Sequence, residues 1–181
     1  MQAFEFPARF QTERLAGRCP CMDDVPGIFD GWAQDAVVAK YMAWRPHTKR
    51  ETMEQWIASL VAGFGKGSRN EYVLTLRESD KVPIGMISIR RDGPMASFGY
   101  VIRRDMWGKG FAPEALRHLV EWALAQDGLY RAWALCDVSN SASARVMEKV
   151  GMKKEGVLHS WALHPNISPT PRDVFCYAKV K

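Results

Sequence analysis

No stretch of this chain reaches the roughly 18 to 20 consecutive apolar residues that a bilayer span requires, although 47% of its 181 residues are apolar. Cysteine is scarce. The four thiols stand at positions 19, 21, 136 and 176 without the paired spacing of a metal knuckle, and four histidines supply no ligand motif. Reduced, idle thiols in a cytoplasmic setting and no metal are the expectation. The opening MQAFEFPARFQTERL lacks the basic start and apolar block of a secretory signal. Long charge runs are missing too: Lys and Arg total 25 against 20 Asp and Glu, a net charge of +5, but the basic residues are dispersed in pieces as short as RRD at 103–105 and KK at 153–154. Nucleic acid is therefore not an expected partner, and an anionic ligand is permitted. With no internal repeat or low-complexity linker, the chain reads as one globular domain over 1–181.

Mixed elements fill that length. ARFQTERLAGRCP alternates weakly and predicts a first strand. DDVPGIFDGWAQDAVVAKYM is helical in two pieces, with Asp23 or Asp24 as cap, and WRPH breaks it. Thr48 and Glu51 have capping-box spacing ahead of TMEQWIASLVAGF, in which Met53, Trp56, Ile57, Leu60 and Val61 share a helical face. EYVLTLRE, VPIGMISIRR and MASFGYVIRR, joined by turns at SDK and DGP, predict an antiparallel meander. A helix follows with Ala112, Ala115, Leu116, Leu119, Val120 and Ala123 on its buried stripe. LYRAWALCDV is a fifth strand, NSASARVMEKVG a short helix closed by Gly151, and VFCYAKVK a last strand after a Pro-rich loop.

The junction RRDMWGKGFAPEAL carries chemistry. Gly108 and Gly110 lack a β-carbon, so a ligand can approach the backbone, and the amides that open a helix have no intrahelical partner. Together with the helix dipole and Lys109 they favour an anion. A Walker A loop would place Ser or Thr after Gly-Lys, whereas here Gly110 and Phe111 follow Lys109, and the third glycine of a dinucleotide fingerprint is missing. Pro113 preorganises the first turn while donating no amide, which leaves those of 108–112 for the anion.

WGKGFAPEAL followed by NSASARVMEKVGM resembles the acetyl-CoA-dependent GNAT N-acetyltransferases, in particular the branch that acetylates the N-terminal alanine or serine of ribosomal proteins. The likeness extends over QTERL, WRPHTKRE, IGMISI, FGYVI and RDVFCYAKV, nearly the whole chain. It implies a single α/β (α+β) domain with a mixed, mostly antiparallel central sheet flanked by helices and splayed at the acetyl-CoA site. The pyrophosphate motif, Gln or Arg followed after two residues by Gly-x-Gly/Ala, is matched at Gly110 and Ala112, with Trp107 in the first position. The resemblance places the pyrophosphate on the amides of Gly108, Lys109, Gly110, Phe111 and Ala112, aided by Lys109 and Arg103 or Arg104. It places the pantetheine arm along the backbone of Val101 and Ile102 and against Asn140, which also reads as a helix N-cap.

Transfer of acetyl from a thioester to an amine needs a neutral amine, a stabilised oxyanion and a proton for the departing thiolate. Many relatives supply that proton from a tyrosine seven residues after the motif asparagine; Met147 stands there. The ribosomal-protein branch uses a serine three residues after it, which points to Ser143 as both the catalytic donor and a cofactor contact. Where that branch carries a glutamate before Gly-Tyr, this chain has Ser97, so removal of the ammonium proton falls to an ordered water or another group, with His47, His159 and His164 as titratable candidates. The resemblance puts Trp32, Trp44, Trp56 and Trp161 in regions that line the acceptor cleft, and core packing is the other reading of each. A peptide or protein N-terminus is the preferred acceptor. A small-molecule amine and a noncatalytic acyl-CoA-binding domain stand as alternatives, and the chain is expected as a monomer or homodimer.

Overall fold

The computed structural model describes residues 5–181. One eight-stranded sheet organises them in the order β1-β2-β3-β4-β5-β6-β8-β7: β1 (Arg9–Gln11), β2 (Leu15–Arg18), β3 (Arg69–Leu76), β4 (Gly85–Asp92), β5 (Met95–Ile102), β6 (Arg131–Asp137), β7 (Lys153–Ala162) and β8 (Arg172–Val180). Every neighbouring pair is antiparallel except β5 and β6. The predicted meander is β3–β5, with Val73 opposite Met86 and Met86 opposite Val101.

Strand alternation sends successive side chains to opposite faces, and both faces are covered. On one side Tyr72, Leu74, Ile87, Ile89 and Phe98 pack with Leu116, Leu119 and Val120 of helix α4 (Phe111–Ala125) and Met147 of helix α5 (Ser141–Lys149). On the other, Val73 and Met86 pack with Val25 and Ile28 of α1 (Val25–Ile28), with Trp32, and with Met53 and Ile57 of α3 (Arg50–Gly63). A short helix α2 (Ala36–Ala39) lies between, capped by Asp35, whose carboxylate accepts from the Val37 and Val38 amides.

Four local expectations change. The first predicted strand is a hairpin, because Thr12–Arg14 turn and bring Phe10 opposite Gly17, where a β-carbon would strike the Phe10 ring. Asp24 stands at the N-cap of α1 but makes no side-chain bond to that helix; its carboxylate caps the preceding 3-10 turn (Met22–Asp24) instead, accepting from the Cys21 amide at 2.8 Å, and pairs with Arg18 at 2.7 and 2.8 Å. Helix α3 starts at Arg50 with Lys49 at its N-cap and no side-chain cap, so Thr48 and Glu51 form no box; Met53 and Ile57 are buried while Trp56 and Val61 are 36% and 42% exposed. Strand β7 has no counterpart in the sequence reading. Its pattern is charged and mostly exposed, and pairing with β8 is what holds it extended.

Candidate active site

Strands β5 and β6 pair only at Met95–Arg131, Ala96–Ala132 and Ser97–Trp133. Beyond Ser97 they part, and a groove of about 430 Å³ opens whose lining includes Tyr100, Gly108, Phe111, Asn140 and Ser143. The crossover helix α4 begins at its mouth. Gly108 and Gly110 take left-handed conformations, φ +76° and +84°, which favour glycine. They turn the chain into the first turn of α4, and Gly108, Gly110, Phe111 and Ala112 line the groove there. A β-carbon on Gly108 would meet nothing within 4 Å, whereas one on Gly110 would lie 3.3 Å from Arg14 Nη2.

Arg14 is a residue that sequence reasoning missed. Its Nη1 donates to the Lys109 carbonyl at 3.0 Å, its guanidinium lies 4.7 Å from the centre of the Phe111 ring, and its Nε donates to Glu114 at 2.7 Å. Thr12 Oγ1 donates to the same carboxylate at 2.5 Å. The turn of the first hairpin therefore braces the glycine loop, a contact 95 residues apart in sequence. Trp107 closes the loop from the other side: its indole N–H donates to the Ile102 carbonyl at 2.7 Å.

That bond corrects the backbone reading of β5. The Arg103 amide donates to the Ile84 carbonyl, and the Val101 carbonyl lies where a β-carbon on Gly85 would be. Alternation then turns the polar backbone of Gly99, Val101 and Arg103 toward β4 and that of Tyr100 and Ile102 toward the opening. Val101 is committed to the ladder and the Ile102 carbonyl to Trp107, so the backbone open to a ligand is Tyr100 and the Ile102 N–H. Arg103 is also committed, its guanidinium paired with Asp105 at 2.7 and 3.0 Å. Lys109 is exposed at the mouth, and Arg145 and Lys149 of α5 add positive charge to the groove wall.

Inside the groove, Asn140 caps α5, its Oδ1 accepting from the Ser143 amide at 3.1 Å. Ser143 Oγ lies 2.7 Å from the Tyr100 hydroxyl, either group able to donate. Burial pushes the Tyr100 phenol well above its usual pKa, with the Ser143 hydrogen bond opposing it. Cys136 is also beside Ser143, and burial raises its thiol to about 11. Met147 is fully buried in the core. The β6–α5 junction carrying these groups is anchored by Asp137, which accepts from Arg172 at 2.6 and 3.1 Å and from the Ser139 amide at 2.8 Å. Burial alone would raise this carboxyl, but those hydrogen bonds outweigh it and hold it below the usual range. A depressed carboxylate stabilises the fold above its unfolded pKa, and the stabilisation is lost as pH falls through the folded one. Wild type is accordingly expected to exceed Asp137→Asn in urea midpoint near neutrality, with the gap closing below about pH 4; a gap that persists unchanged there would refute this.

A second cleft, of about 710 Å³, meets the groove at Met42, Tyr100 and Val101. Trp32, Trp44, Trp56, His47, Glu71 and Ser88 are among its walls. Burial lowers the pKa of His47, which packs on Trp44 with ring centres 5.5 Å apart. Asn166 fastens the covering segment by donating to the Ala39 and Trp44 carbonyls at 2.6 and 2.8 Å. The other titratable candidates lie elsewhere: His159 pairs with Asp173 on the sheet edge, and His164 is buried 3.9 Å from Asp137. Trp161 is 58% exposed on β7, in neither the core nor the cleft. Among the described residues no three His, Cys, Asp or Glu come together as a metal site, and no helix is long and apolar enough to cross a membrane.

The acetyltransferase (GNAT) domain family model matches residues 14–153. The uncharacterized N-acetyltransferase p20 of Bacillus licheniformis is 29% identical over 152 residues, 83% of this chain and 85% of that protein. Among solved structures, the microcin C7 self-immunity acetyltransferase MccE, in complex with acetyl-CoA and AMP, superposes with a TM-score of 0.84 at 19% identity over 97% of this chain and 98% of its own. The Salmonella typhimurium acetyltransferase that modifies the N-terminal serine of ribosomal protein L7/L12 superposes with a TM-score of 0.80 at 18% identity, covering 98% and 99%.

Proposed function

The chain belongs to the GNAT acetyltransferase family, and from that premise we propose that it moves the acetyl group of acetyl-CoA to the α-amine of a peptide or protein N-terminus. The observation that carries this reading is the meeting of two grooves at Tyr100 and Val101, one with an anion cradle at its mouth and one walled by aromatic rings. The Salmonella relative in shape, which acts on a protein N-terminus, supports the same acceptor class. A polycation would call for clustered carboxylates, and Glu71 is the one carboxylate on the cleft wall among the described residues.

Bound acetyl-CoA supplies an activated acetyl thioester. The amides of Gly108 to Ala112 hold its pyrophosphate, with Lys109 adjacent. Tyr100 and the Ile102 N–H orient the pantetheine arm as an added strand would be held. The aromatic wall excludes water from the amine. Ser143 Oγ, kept in place by Tyr100, gives its proton to the departing thiolate and takes in exchange the proton that the acceptor nitrogen loses as it becomes an amide, so the hydroxyl is restored.

The choice of α-amine rests on proton removal. With pKa values of about 7.7–8.0 against about 10.4, roughly a third of an α-amine but only about a thousandth of a lysine side chain is neutral at pH 7.5, a difference of about 3.5 kcal/mol. Peptides with a free, small N-terminal residue are expected to outcompete the same peptides blocked at the N-terminus but carrying lysine, by at least about 100-fold in kcat/KM. An amine panel with acetyl-CoA, read by thiol release and product mass, tests it. Equal rates on blocked and unblocked lysine peptides would defeat the α-amine reading, and acetyl-CoA binding without turnover on any amine would favour a noncatalytic acyl-CoA-binding domain.

A further inference from the structure

Glu71 sits where a carboxylate has little structural reason to be. It lies in β3, its side chain 10% exposed, paired with Arg69, whose own side chain is 58% exposed. Partnership with a largely hydrated guanidinium compensates burial poorly. Glu71 is directly opposite Ser88 on β4, and Ser88 is directly opposite Gly99 on β5. Directly opposed residues share a face, and all three line the aromatic cleft. This row runs from Glu71 to the strand edge where the two grooves meet.

We infer that Glu71 receives the ammonium proton of the acceptor, with the Ser88 hydroxyl as the bridge between them. The inference rests on the acetyltransferase reading but not on which amine is used. Two strand spacings separate the Glu71 and Gly99 backbones, about 10 Å, too far for direct contact with an amine poised beside Tyr100. Ser88 stands midway, its hydroxyl donating to the Gly99 carbonyl at 3.3 Å, and a serine hydroxyl can rotate from that contact toward Glu71. The transfer balances without a further reactant. An ammonium N–H bond breaks as its proton joins Ser88 Oγ, and the Ser88 hydroxyl proton passes to a Glu71 carboxylate oxygen. The freed lone pair is then available to attack. Glu71 returns its proton to solvent through the cleft, so one proton is released per acetyl transferred.

The surroundings make Glu71 a stronger base than a hydrated carboxylate. Burial raises the Glu71 carboxyl above its ordinary value, and Arg69 partly opposes the rise. Arg90 stands opposite Arg69, Lys66 is on the rim, and His47 is on the wall with its pKa lowered. The α3 side chains lining the cleft, Met53, Trp56, Ser59 and Leu60, carry no charge. Glu71 is thus the carboxylate that Ser97 does not provide.

The test compares wild type with Glu71→Gln in acceptor kcat/KM from pH 6 to 9, using whichever amine the wild type turns over fastest. A failure of the α-amine preference therefore leaves this comparison intact. Wild type is expected to be flat between the ionisation of Glu71 and that of the acceptor. The variant, limited to amine already neutral, rises about tenfold per pH unit up to the acceptor pKa. For an α-amine acceptor the deficit is about 20-fold at pH 6.5, where only about a twentieth is neutral, and shrinks to within about threefold at pH 9. Ser88→Ala gives the same trend with a smaller deficit, and both variants keep the acetyl-CoA-induced rise in Tm. A deficit of constant size across the pH range would assign Glu71 a structural role and overturn the inference, as would no deficit at all. A Ser88→Ala ratio independent of pH would remove the bridge.

Discussion

Gly110→Glu abolishes the rise in Tm that acetyl-CoA gives the wild-type protein. Saturation at about 100 times Kd stabilises a folded protein by about 2.7 kcal/mol, and at about 2–4 °C per kcal/mol for a chain of this size the wild-type shift is about 5–10 °C. The substitution acts twice. Gly110 has φ +84°, a conformation that a side chain adopts only under strain, and its β-carbon would lie 3.3 Å from Arg14 Nη2. It also puts a carboxylate among the amides proposed to hold a pyrophosphate. Gly110→Ala separates the two effects: it carries the same backbone strain without the charge, so its unliganded Tm falls comparably while part of the acetyl-CoA shift remains. Differential scanning fluorimetry with and without acetyl-CoA reads both. A Gly110→Glu protein that responds like wild type would move the cofactor site elsewhere.

Ser143→Ala lowers kcat by about 100-fold and leaves acetyl-CoA affinity within a few fold. A positioned general acid contributes about 10²–10⁴-fold, and a group that acts only on the departing thiolate leaves ground-state binding almost untouched. The 2.7 Å contact between Ser143 Oγ and the Tyr100 hydroxyl adds a second arm. If Ser143 gives the proton and Tyr100 orients it, Tyr100→Phe costs less, about tenfold, because Ser143 keeps its hydroxyl. A Tyr100→Phe loss larger than that of Ser143→Ala would transfer the donor role to Tyr100. Undiminished turnover in Ser143→Ala, measured where chemistry limits the rate, would remove Ser143 from the mechanism. Single-turnover rates with saturating acetyl-CoA distinguish these results.

The sequence by itself determined the meander, the amphipathic face of α4 and the glycine junction, because each follows from local spacing. Alternation over β3–β5, the apolar stripe from Ala115 to Ala123 and two glycines that take positive φ are properties of short stretches. The cap at Asn140 is equally local, a side chain accepting from an amide three residues on. Strand β7 was not legible, since its extended form comes from its partner β8 rather than from its own pattern.

Tertiary structure alone decided which groups around that junction are free and which are spent. Nothing in the spacing of Trp107 says that its indole takes the Ile102 carbonyl, or that Val101 turns toward β4 and leaves Tyr100 facing the opening. Arg14 reaches Lys109 and Glu114 only because the first hairpin folds against α4, and Tyr100 meets Ser143 only because α5, packed on α4 and β6, brings its first turn to the open edge of β5. The row from Glu71 through Ser88 to Gly99 exists only in the register of three strands. The physical reason is common to all of them. A hydrogen-bond partner or a buried charge is fixed by approach in space between segments far apart in sequence, whereas a helix stripe, a turn or a cap is fixed by neighbours within four residues.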